Sequence, residues 1–263
     1  MKIKTLIENT TAVDGLCTEA GLGMYVEALG KKILFDTGMS GDFVRNAQQM
    51  GVDLKAVDLV VISHGHDDHG GGLKRFLEVN DTAPIYINEH AFGRFFAGNG
   101  REISLAPELK GNPRVILTGD RLELGEGLEL FTCNALERKH PMGHFGLTTL
   151  SGDEQVPDDF CHEQYLLITE GDKKVLFSGC SHKGILNIME WVKCDVLLGG
   201  FHFMRLGLEG EDLVYLENAA KRLMEYPTIY YTCHCTGLKQ YAVLKDLMGE
   251  QLQYSATGQE IEI

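Results

Sequence analysis

The chain has 263 residues, 44% of them hydrophobic and 24% charged, an ordinary composition for a globular protein with a large buried core. Its 38 acidic and 24 basic side chains give a net charge of -14 at pH 7, which disfavours nucleic acid as a partner because it repels a phosphate backbone. No apolar stretch has the length of a membrane span or the form of a signal peptide, so we expect neither membrane insertion nor export.

The first part of the chain predicts strands and one surface helix ahead of a fully apolar strand. Hydrophobic patterning predicts strands at Lys2–Glu8, Met24–Leu29 and Lys32–Phe35, and a helix at Gly41–Met50. The next segment, Val57–Ile62, is rich in β-branched residues and lacks alternation, which is typical of a strand buried on both faces. The residues that follow it therefore lie at the carboxyl end of a central strand.

Three histidines and two aspartates crowd into the six positions that begin two residues after this strand. In an extended chain, residues two apart project to the same side about 6–7 Å apart at Cα, so His64 and His66 can converge on one ion with bonds of about 2 Å. The following turn and helix swing Asp68 and His69 toward the same point, whereas Asp67 points elsewhere. Histidines that merely cap a strand are the alternative, but this spacing indicates a metal site.

The middle of the chain predicts further strands separated by loops. Strands are predicted at Pro84–Ile87, Arg114–Leu117, Arg121–Leu124, Leu128–Phe131, Gln164–Thr169 and Lys174–Ser178, the last two as a hairpin. Phe92–Asn112 has no clear hydrophobic period and is interpreted as a lid or a substrate loop. Glu137–Asp159 is interpreted as a polar loop. Helices and strands then alternate at Ile185–Val192, Val196–Leu198, Asp212–Tyr226, Thr228–Tyr231 and Leu238–Met248.

The pattern His-x-His-x-Asp-His after a buried strand resembles the signature of the metallo-β-lactamase fold superfamily. The resemblance extends to segments 33–38, 175–180, 198–202 and 233–237, which follow the order of that superfamily's strands and ligand loops. Their Gly-Cys-Ser-His, Gly-Gly-Phe-His and His-Cys-Thr-Gly elements are similar to a cytoplasmic branch related to dihydropterin and ribofuranosylaminobenzene phosphate synthases. The resemblance implies an α/β fold, a four-layer αβ/βα sandwich of two mixed β-sheets with helices on the outer faces, and the length favours a single domain over 1–263.

The resemblance also implies which residues hold the metal. In the superfamily, one ion has three histidine ligands and the second has an aspartate and two histidines, with a further aspartate supporting the site. Carried over to this chain, the first set is His64, His66 and a third histidine, the second set is Asp68, His69 and His234, and the supporting residue is Asp36. The third histidine lies among positions 140, 144 and 162, with His144 as the provisional choice. A hydrogen-bonded core histidine is the alternative reading of His234.

This chain departs from the usual pattern at Cys180, which stands where the superfamily has an aspartate that bridges both metals. A cysteine thiolate binds zinc or iron strongly. Cys180 is alternatively interpreted as a small buried thiol that binds no metal, and His182 is the ligand that competes with it for this position. The site therefore holds one or two divalent ions. Zinc is the predicted metal, with iron or manganese as alternatives.

A metal-activated water is the predicted nucleophile, because a divalent ion with an open position lowers the pKa of bound water toward about 7. Asp68 would orient this water and accept its proton, and His202 would donate to the developing oxyanion. Helices are predicted to begin after Lys183-Gly184 and after Thr236-Gly237, and their first backbone N–H groups can bind an anionic substrate. Ordinary helix capping is the alternative interpretation of these residues. Oxygen-reducing di-iron members of the superfamily usually carry glutamate where this chain has His66, which favours hydrolysis.

The sequence therefore predicts a metal-dependent hydrolase of a small, anionic, ester or phosphoester-like substrate. The first alternative is a synthase that joins a pterin pyrophosphate to an arylamine-like partner and releases pyrophosphate. The second is a metal-containing ligand-binding protein without turnover. Seven scattered cysteines, an odd number without the spacing of a disulfide framework, favour reduced thiols and a cytoplasmic location. The oligomeric state is left open.

Overall fold

The computed structural model describes residues 1–263 as two seven-stranded sheets, one three-stranded sheet and six α-helices. The strands in chain order are β1 Lys2–Ile7, β2 Gly23–Ala28, β3 Lys31–Phe35, β4 Leu59–Ile62, β5 Ile85–Asn88, β6 Phe95–Phe96, β7 Val115–Thr118, β8 Arg121–Gly125, β9 Leu128–Phe131, β10 Thr148–Ser151, β11 Glu154–Pro157, β12 Tyr165–Glu170, β13 Lys173–Gly179, β14 Val196–Gly199, β15 Ile229–Thr232, β16 Leu252–Tyr254 and β17 Glu260–Glu262. The helices are α1 Asp42–Gln49, α2 Asp67–Gly70, α3 Leu73–Val79, α4 Ile185–Trp191, α5 Gly210–Leu223 and α6 Leu238–Met248.

Both large sheets are mixed. The first has the order β17-β1-β2-β3-β4-β5-β7, and its strands β3, β4, β5 and β7 run parallel. The second has the order β16-β15-β14-β13-β12-β9-β8, and its strands β13 to β16 run parallel. The small sheet, β11-β10-β6, is antiparallel.

The two large sheets pack face to face over a continuous apolar core. Strands of the first sheet contribute Val26 and Phe35, and strands of the second contribute Leu166 and Phe177. The rings of Phe35 and Phe177 meet with their centroids 5.4 Å apart. Burial of these side chains against each other holds the sheets together, since each large aromatic side chain removes about 150 Å² or more of its surface from water.

The other face of each sheet is covered by helices. Side chains from α1 and α3, including Phe43 and Phe76, pack on the first sheet, and side chains from α4, α5 and α6, including Leu216 and Leu244, pack on the second. All four residues of β4 are buried because alternate ones face the inter-sheet core and the helices. The predicted four-layer αβ/βα sandwich is confirmed.

The parallel strands direct their carboxyl ends to one edge of the sandwich, where side chains that follow different strands can meet. The residues at this edge are Asp36 after β3, His64 after β4, Cys180 after β13, His202 after β14 and His234 after β15. None of the helices combines the length and apolar character needed to cross a bilayer.

The sequence-based assignment was wrong in one region, left a second region unassigned and was incomplete at the C-terminus. The predicted polar loop Glu137–Asp159 contains the β10–β11 hairpin, and β10 pairs with β6, which lies inside the unassigned Phe92–Asn112 segment. The residues of the hairpin are exposed or half-buried, so they lack the alternating apolar pattern that identifies a strand. The short strands β16 and β17 were not predicted, and α5 begins and ends two to three residues before the predicted bounds.

Candidate metal centre

The histidine-rich segment lies where β4 ends and α2 begins. His64 and His66 are buried in the extended stretch between them, and α2 carries Asp68 and His69. Asp67 points away from them, and its Oδ2 lies 2.6 Å from Nη1 of Arg101. Asp67 is therefore separated from the other histidine and aspartate side chains of this segment, as the spacing predicted.

Gly65 separates the two histidines for a steric reason. A Cβ at this position would lie 2.5 Å from the carbonyl oxygen of Ala91 and 2.6 Å from the ring of Phe95. The glycine allows the chain to pass close to this neighbouring turn, so its role is packing behind the histidines.

His64, His66 and His182 bring one ring nitrogen each into a common group in which all three atoms lie within 4.8 Å of one another. The Nε2 atoms of His64 and His182 are 3.2 Å apart. His182 is carried by the loop between β13 and α4, so residues from the two large sheets meet here. This arrangement is a three-histidine set.

A second group of donor atoms adjoins the first. The Nε2 of His69 lies 3.1 Å from Sγ of Cys180, and the Nε2 of His234 lies 3.3 Å from Oδ2 of Asp68. Cys180 is central, because its Sγ lies within 4.8 Å of donor atoms from three different groups: His64 and His69, His182 and His202, and His234 and Cys235. Its position between the two sets is that of a potential bridging ligand.

The residues present fit a metal ion. Donor atoms that share one ion at about 2.0–2.3 Å lie within roughly 4.6 Å of each other, close to the spacing of these sets. Buried polar groups normally have hydrogen-bond partners, yet Nε2 of His66, Nδ1 of His182 and Nδ1 of His202 are buried and have none. The unpartnered Nε2 of His66, in a cluster of imidazoles and a thiol, is the kind of donor atom that zinc takes.

The electrostatics of the cluster also suit a cation. Burial, together with the neighbouring imidazoles, holds the pKa of His64 and of His182 well below the usual range, so both rings are neutral, as ligation requires. Burial would lower the pKa of His69 as well, but the carboxylates of Asp36 and Asp68 outweigh it and raise the pKa to about 9. Those carboxylates therefore favour a positive charge at this point of the cluster.

Asp36 organises the histidines from behind. Its Oδ1 accepts the backbone N–H of Ser63 at 2.7 Å, and its Oδ2 accepts the Ser63 hydroxyl at 2.7 Å and Nδ1–H of His69 at 2.6 Å. Ser63 Oγ in turn lies 2.8 Å from Nδ1 of His64. Because these bonds engage the Nδ1 atoms, the Nε2 atoms of both histidines are left facing the cluster.

His234 is fixed by residues from the opposite end of the chain. Its Nδ1 lies 2.7 Å from Oδ1 of Asn9, and its backbone N–H donates to Oε2 of the buried Glu8 at 3.1 Å. The hydroxyl of Tyr254 donates to the same carboxylate oxygen at 3.0 Å. These contacts hold the His234 ring with Nε2 directed at Asp68.

Removing the side-chain acceptor of Asn9 is expected to weaken metal binding. In Asn9→Ala, Nδ1 of His234 loses its partner and the ring can rotate, so zinc affinity should fall by roughly 10–100-fold. Isothermal titration with zinc measures the change. Asn9→Asp, which keeps an acceptor oxygen in place, is the matched control and should bind zinc like the parent protein. Unchanged affinity in Asn9→Ala would show that Asn9 does not orient His234.

His182 is fixed by a buried carboxylate. Glu163 accepts the backbone N–H of His182 at 2.6 Å and, through its other oxygen, the backbone N–H of Lys183 at 3.0 Å and the Tyr165 hydroxyl at 2.7 Å. The Lys183 ammonium donates to the backbone oxygens of Thr132 and Glu163 at 2.7 and 2.8 Å. The Lys183 ammonium is therefore engaged by backbone carbonyl oxygens of the protein itself.

Of the three histidines considered for the remaining position of the first set, two lie away from the cluster and one, His162, lies beside it. His140 Nε2 contacts Glu190 at 2.9 Å, and His144 is exposed with its Nδ1 accepting the N–H of Gly146. The provisional choice of His144 is therefore not supported. His162 is buried beside the cluster, but its Nδ1 accepts the N–H of Gly65 at 3.0 Å, and its Nε2 faces a carboxylate oxygen at 3.1 Å.

That carboxylate belongs to Asp158, one of several residues of the site that the sequence did not reveal. Its Oδ2 also lies 3.8 Å from Nε2 of His66. Asn9, Glu8 and Glu163 were missed in the same way. Each is an ordinary polar residue without a recognisable flanking pattern, and only the fold brings it to the cluster.

The cluster forms one wall of a pocket of about 170 Å³. Other walls come from Ile103, Phe145 and Leu147, which belong to the two segments left without strands in the sequence assignment. His202 also lines the pocket, with its ring centroid 4.3 Å from that of His182. A larger and more open groove, lined by residues such as Trp191, lies on the outer side of the second sheet and shares no residue with the cluster.

Strained backbone is concentrated at this site. Asp36, Ser181, His202 and His234 all adopt positive φ, at 59°, 56°, 56° and 45°, in the left-handed region that non-glycine residues rarely occupy. Each such residue costs on the order of 1–3 kcal/mol and persists where the surrounding structure demands it. Backbone strain of this kind occurs most often at functional sites.

Comparisons with known proteins agree with this geometry. The family model of the metallo-beta-lactamase superfamily matches residues 21–208. An uncharacterized protein of Methanocaldococcus jannaschii is 28% identical over 256 residues, which cover 93% of this chain and 94% of that protein. A 7,8-dihydropterin-6-methyl-4-(beta-D-ribofuranosyl)-aminobenzene-5'-phosphate synthase of the same organism is 27% identical over 290 residues, covering 100% of this chain and 96% of the synthase. The crystal structure of a metal-dependent hydrolase of the beta-lactamase superfamily has a TM-score of 0.84 and 25% identity, covering 100% of this chain and 99% of that one. Matched by the family model over most of its length, the chain belongs to the metallo-beta-lactamase superfamily.

Proposed function

We propose that the protein is a metal-dependent hydrolase that uses an activated water on a small anionic ester or phosphoester-like substrate. The observation that carries this proposal is the juxtaposition of two adjoining donor sets, one of three histidines and one containing Asp68 and Cys180, at the wall of a pocket. Such a centre activates water and is accessible to a small molecule.

In this proposal the first ion would be held by His64, His66 and His182, and the second by Asp68, His69 and His234, with Cys180 between them. Imidazole and thiolate donors together favour zinc, with iron as the alternative, over manganese. When bound, a divalent ion with an open coordination position lowers the pKa of water toward about 7 and so supplies hydroxide at neutral pH.

We assign Asp68 as the acceptor of the proton from the attacking water. Its side chain is partly exposed to the pocket. Burial would raise the pKa of this carboxyl, but the charge of His69 and a hydrogen bond from His234 outweigh burial and hold the pKa well below the usual range. The carboxylate is therefore ionised, and it can orient the water and accept its proton as the new bond to the substrate forms.

We assign His202 as the hydrogen-bond donor to the oxyanion that develops on the substrate. It follows β14, lines the pocket and has a buried Nδ1 without a partner, so its N–H can be directed at a substrate oxygen. A donor already in place at that point stabilises charge that appears only in the transition state.

The anionic character of the substrate is supported by two arginines at the pocket. Arg101 and Arg205 both line it, although the chain as a whole is strongly acidic. Arg101 is paired with Asp67, whereas Arg205 has no carboxylate within ion-pairing distance. An unpaired guanidinium beside the cluster attracts phosphate or carboxylate groups and binds them in bidentate fashion.

The proposal is tested by comparing zinc-loaded and chelator-stripped protein on panels of esters, lactones, amides and phosphodiesters. We expect hydrolysis of an anionic member by the zinc-loaded protein, its loss on stripping, and its recovery when zinc is restored, because the nucleophile depends on the ion. Elemental analysis of the same samples gives the metal and its stoichiometry. Protein that is fully loaded with metal and hydrolyses nothing on these panels would contradict the proposal.

A second candidate is a synthase that joins a pterin pyrophosphate to an arylamine-like partner. The observation in its favour is the match to the dihydropterin synthase, which covers 100% of this chain and 96% of that enzyme. Release of pyrophosphate from such a pair of substrates would identify it. A binding protein without turnover is the third possibility, and it predicts bound metal with no coordination position open to water.

We propose the cytoplasm as the location and a small molecule as the partner. All seven cysteines are free, and two of them, Cys180 and Cys235, lie in the cluster. Thiols are kept reduced in the cytoplasm, so this compartment suits a site whose metal ligands include a cysteine.

A further inference from the structure

We propose that Cys235 is a second thiolate ligand beside Cys180, so that one half of the cluster is a soft, two-sulfur position. This inference rests on the proposed metal centre and adds to it a ligand and a metal preference. A position with two thiolates selects zinc, iron(II) or cobalt(II) over manganese and magnesium, which prefer oxygen ligands.

The two sulfur atoms lie in one donor group. Sγ of Cys235, Sγ of Cys180 and a ring nitrogen of His234 are all within 4.8 Å of one another. Both cysteines are 2% exposed, both line the pocket, and neither forms a disulfide. The Cys235 thiol makes a long contact of 3.5 Å with the backbone oxygen of Cys180, and its other polar neighbours are the Cys180 thiol and His202, which belong to the same cluster.

The chain provides space for this sulfur at Gly200. A Cβ on Gly200 would lie 2.3 Å from Sγ of Cys235, closer than real atoms approach. Glycine at this position, two residues before His202 in the loop after β14, lets the sulfur pack against the backbone. The position of Cys235 is therefore fixed by the loops of two neighbouring strands.

Cys233, two residues earlier, provides the contrast. It is fully buried and belongs to the core between the two sheets, with Phe35 and Phe177. The end of β15 thus directs one cysteine into the apolar core and the other to the metal cluster. The two side chains have the same chemistry, and only one of them has donor groups around it.

The chemistry of binding is simple. Each thiol releases its proton to solvent and donates a sulfur electron pair to the ion, with bonds of about 2.3 Å to zinc. No oxidation or reduction occurs. Two thiolates neutralise one divalent cation, so this half of the site can hold an ion without relying on the charge of Asp68.

The test is the absorption of protein reconstituted with cobalt(II), because thiolate bound to cobalt gives a charge-transfer band in the near ultraviolet. Cys180→Ala, Cys235→Ala and Cys233→Ala are compared at equal cobalt content, with circular dichroism and Tm as checks of folding. We expect Cys235→Ala to lose roughly half of the band, and to bind zinc at least about tenfold more weakly, while Cys233→Ala keeps both.

A full band in Cys235→Ala, together with its loss in Cys180→Ala, would overturn the inference and leave the proposed hydrolase intact. Failure of the unaltered protein to bind cobalt or zinc would overturn both. If Cys235→Ala does not fold, alkylation of the unaltered protein with and without zinc decides the matter, read by peptide mass. Protection of Cys235 by zinc supports the inference, and alkylation at the same rate in both samples refutes it, with the partly exposed Cys17 and Cys161 as internal standards.

Discussion

Replacing His182 with alanine is expected to remove metal from the three-histidine set and, with it, the hydrolytic activity. The Nε2 of this residue lies 3.2 Å from that of His64, and His182 supplies one of the three donor nitrogens of the group. Loss of a direct ligand should lower zinc affinity by more than the roughly 10–100-fold that follows from losing a supporting residue. Elemental analysis after dialysis against zinc, and kcat/KM on the substrate that the panels identify, measure the two effects.

His144→Ala is the matched control for this prediction. His144 is exposed in its loop and has no contact with the cluster, so its replacement should leave metal content and Tm unchanged. The opposite pattern, with metal lost in His144→Ala and retained in His182→Ala, would show that the first ion takes its third histidine from the loop before β10. Loss in neither variant would show that two histidines suffice.

The part of the site that could be predicted from the sequence is the part that is local in the chain. His64, His66, Asp68 and His69 are positioned by one strand and the helix that follows, so their spacing determines their directions. Cys180 and His234 were candidates through the family resemblance, and each follows a parallel strand, where the sheet brings residues from different strands together.

The place of His182 in the three-histidine set was not predicted, since the sequence offered this residue only as the alternative ligand to Cys180. His182 is three residues beyond the end of β13, and the chain between them turns through Ser181 at a φ of 56°. Serine gives no sequence signal for this left-handed conformation, which glycine or asparagine would have suggested. The anchor that requires it, Glu163, is buried and distant from the histidine motif. Its effect depends on tertiary packing alone.

The strands of the fold divide in the same way into those that the local sequence predicts and those that depend on tertiary contacts. Strands buried on both faces, such as β4 and β14, are dense in apolar residues and were predicted. The β10–β11 hairpin carries mostly polar, solvent-exposed residues and is stabilised by pairing of Phe95 and Phe96 with Thr149 and Thr148. Strand formation there follows from a partner remote in sequence, so the local pattern gave no indication of it, although the loop that leads into this hairpin lines the pocket with Phe145 and Leu147.

Replacing Asp36 with alanine is expected to reduce both stability and metal binding. The carboxylate is fully buried and accepts three hydrogen bonds, from the backbone and hydroxyl of Ser63 and from His69. Its removal leaves those donors without partners and leaves a positive His69 without its counter-charge, and breaking a buried pair in this way costs about 3–5 kcal/mol. Urea denaturation of metal-free protein measures this loss as a lower midpoint.

Metal binding should weaken in the same variant by roughly 10–100-fold, since Asp36 orients His69 directly and His64 through Ser63. Asp67→Ala is the matched control, because Asp67 is an aspartate of the same histidine-rich segment that forms only a surface ion pair with Arg101. That change should cost no more than about 1 kcal/mol and leave zinc affinity unaltered. If Asp36→Ala unfolds at the same urea concentration as Asp67→Ala and binds zinc equally well, the network behind the histidines does not position them, and the ligand geometry must come from β4 and α2 alone.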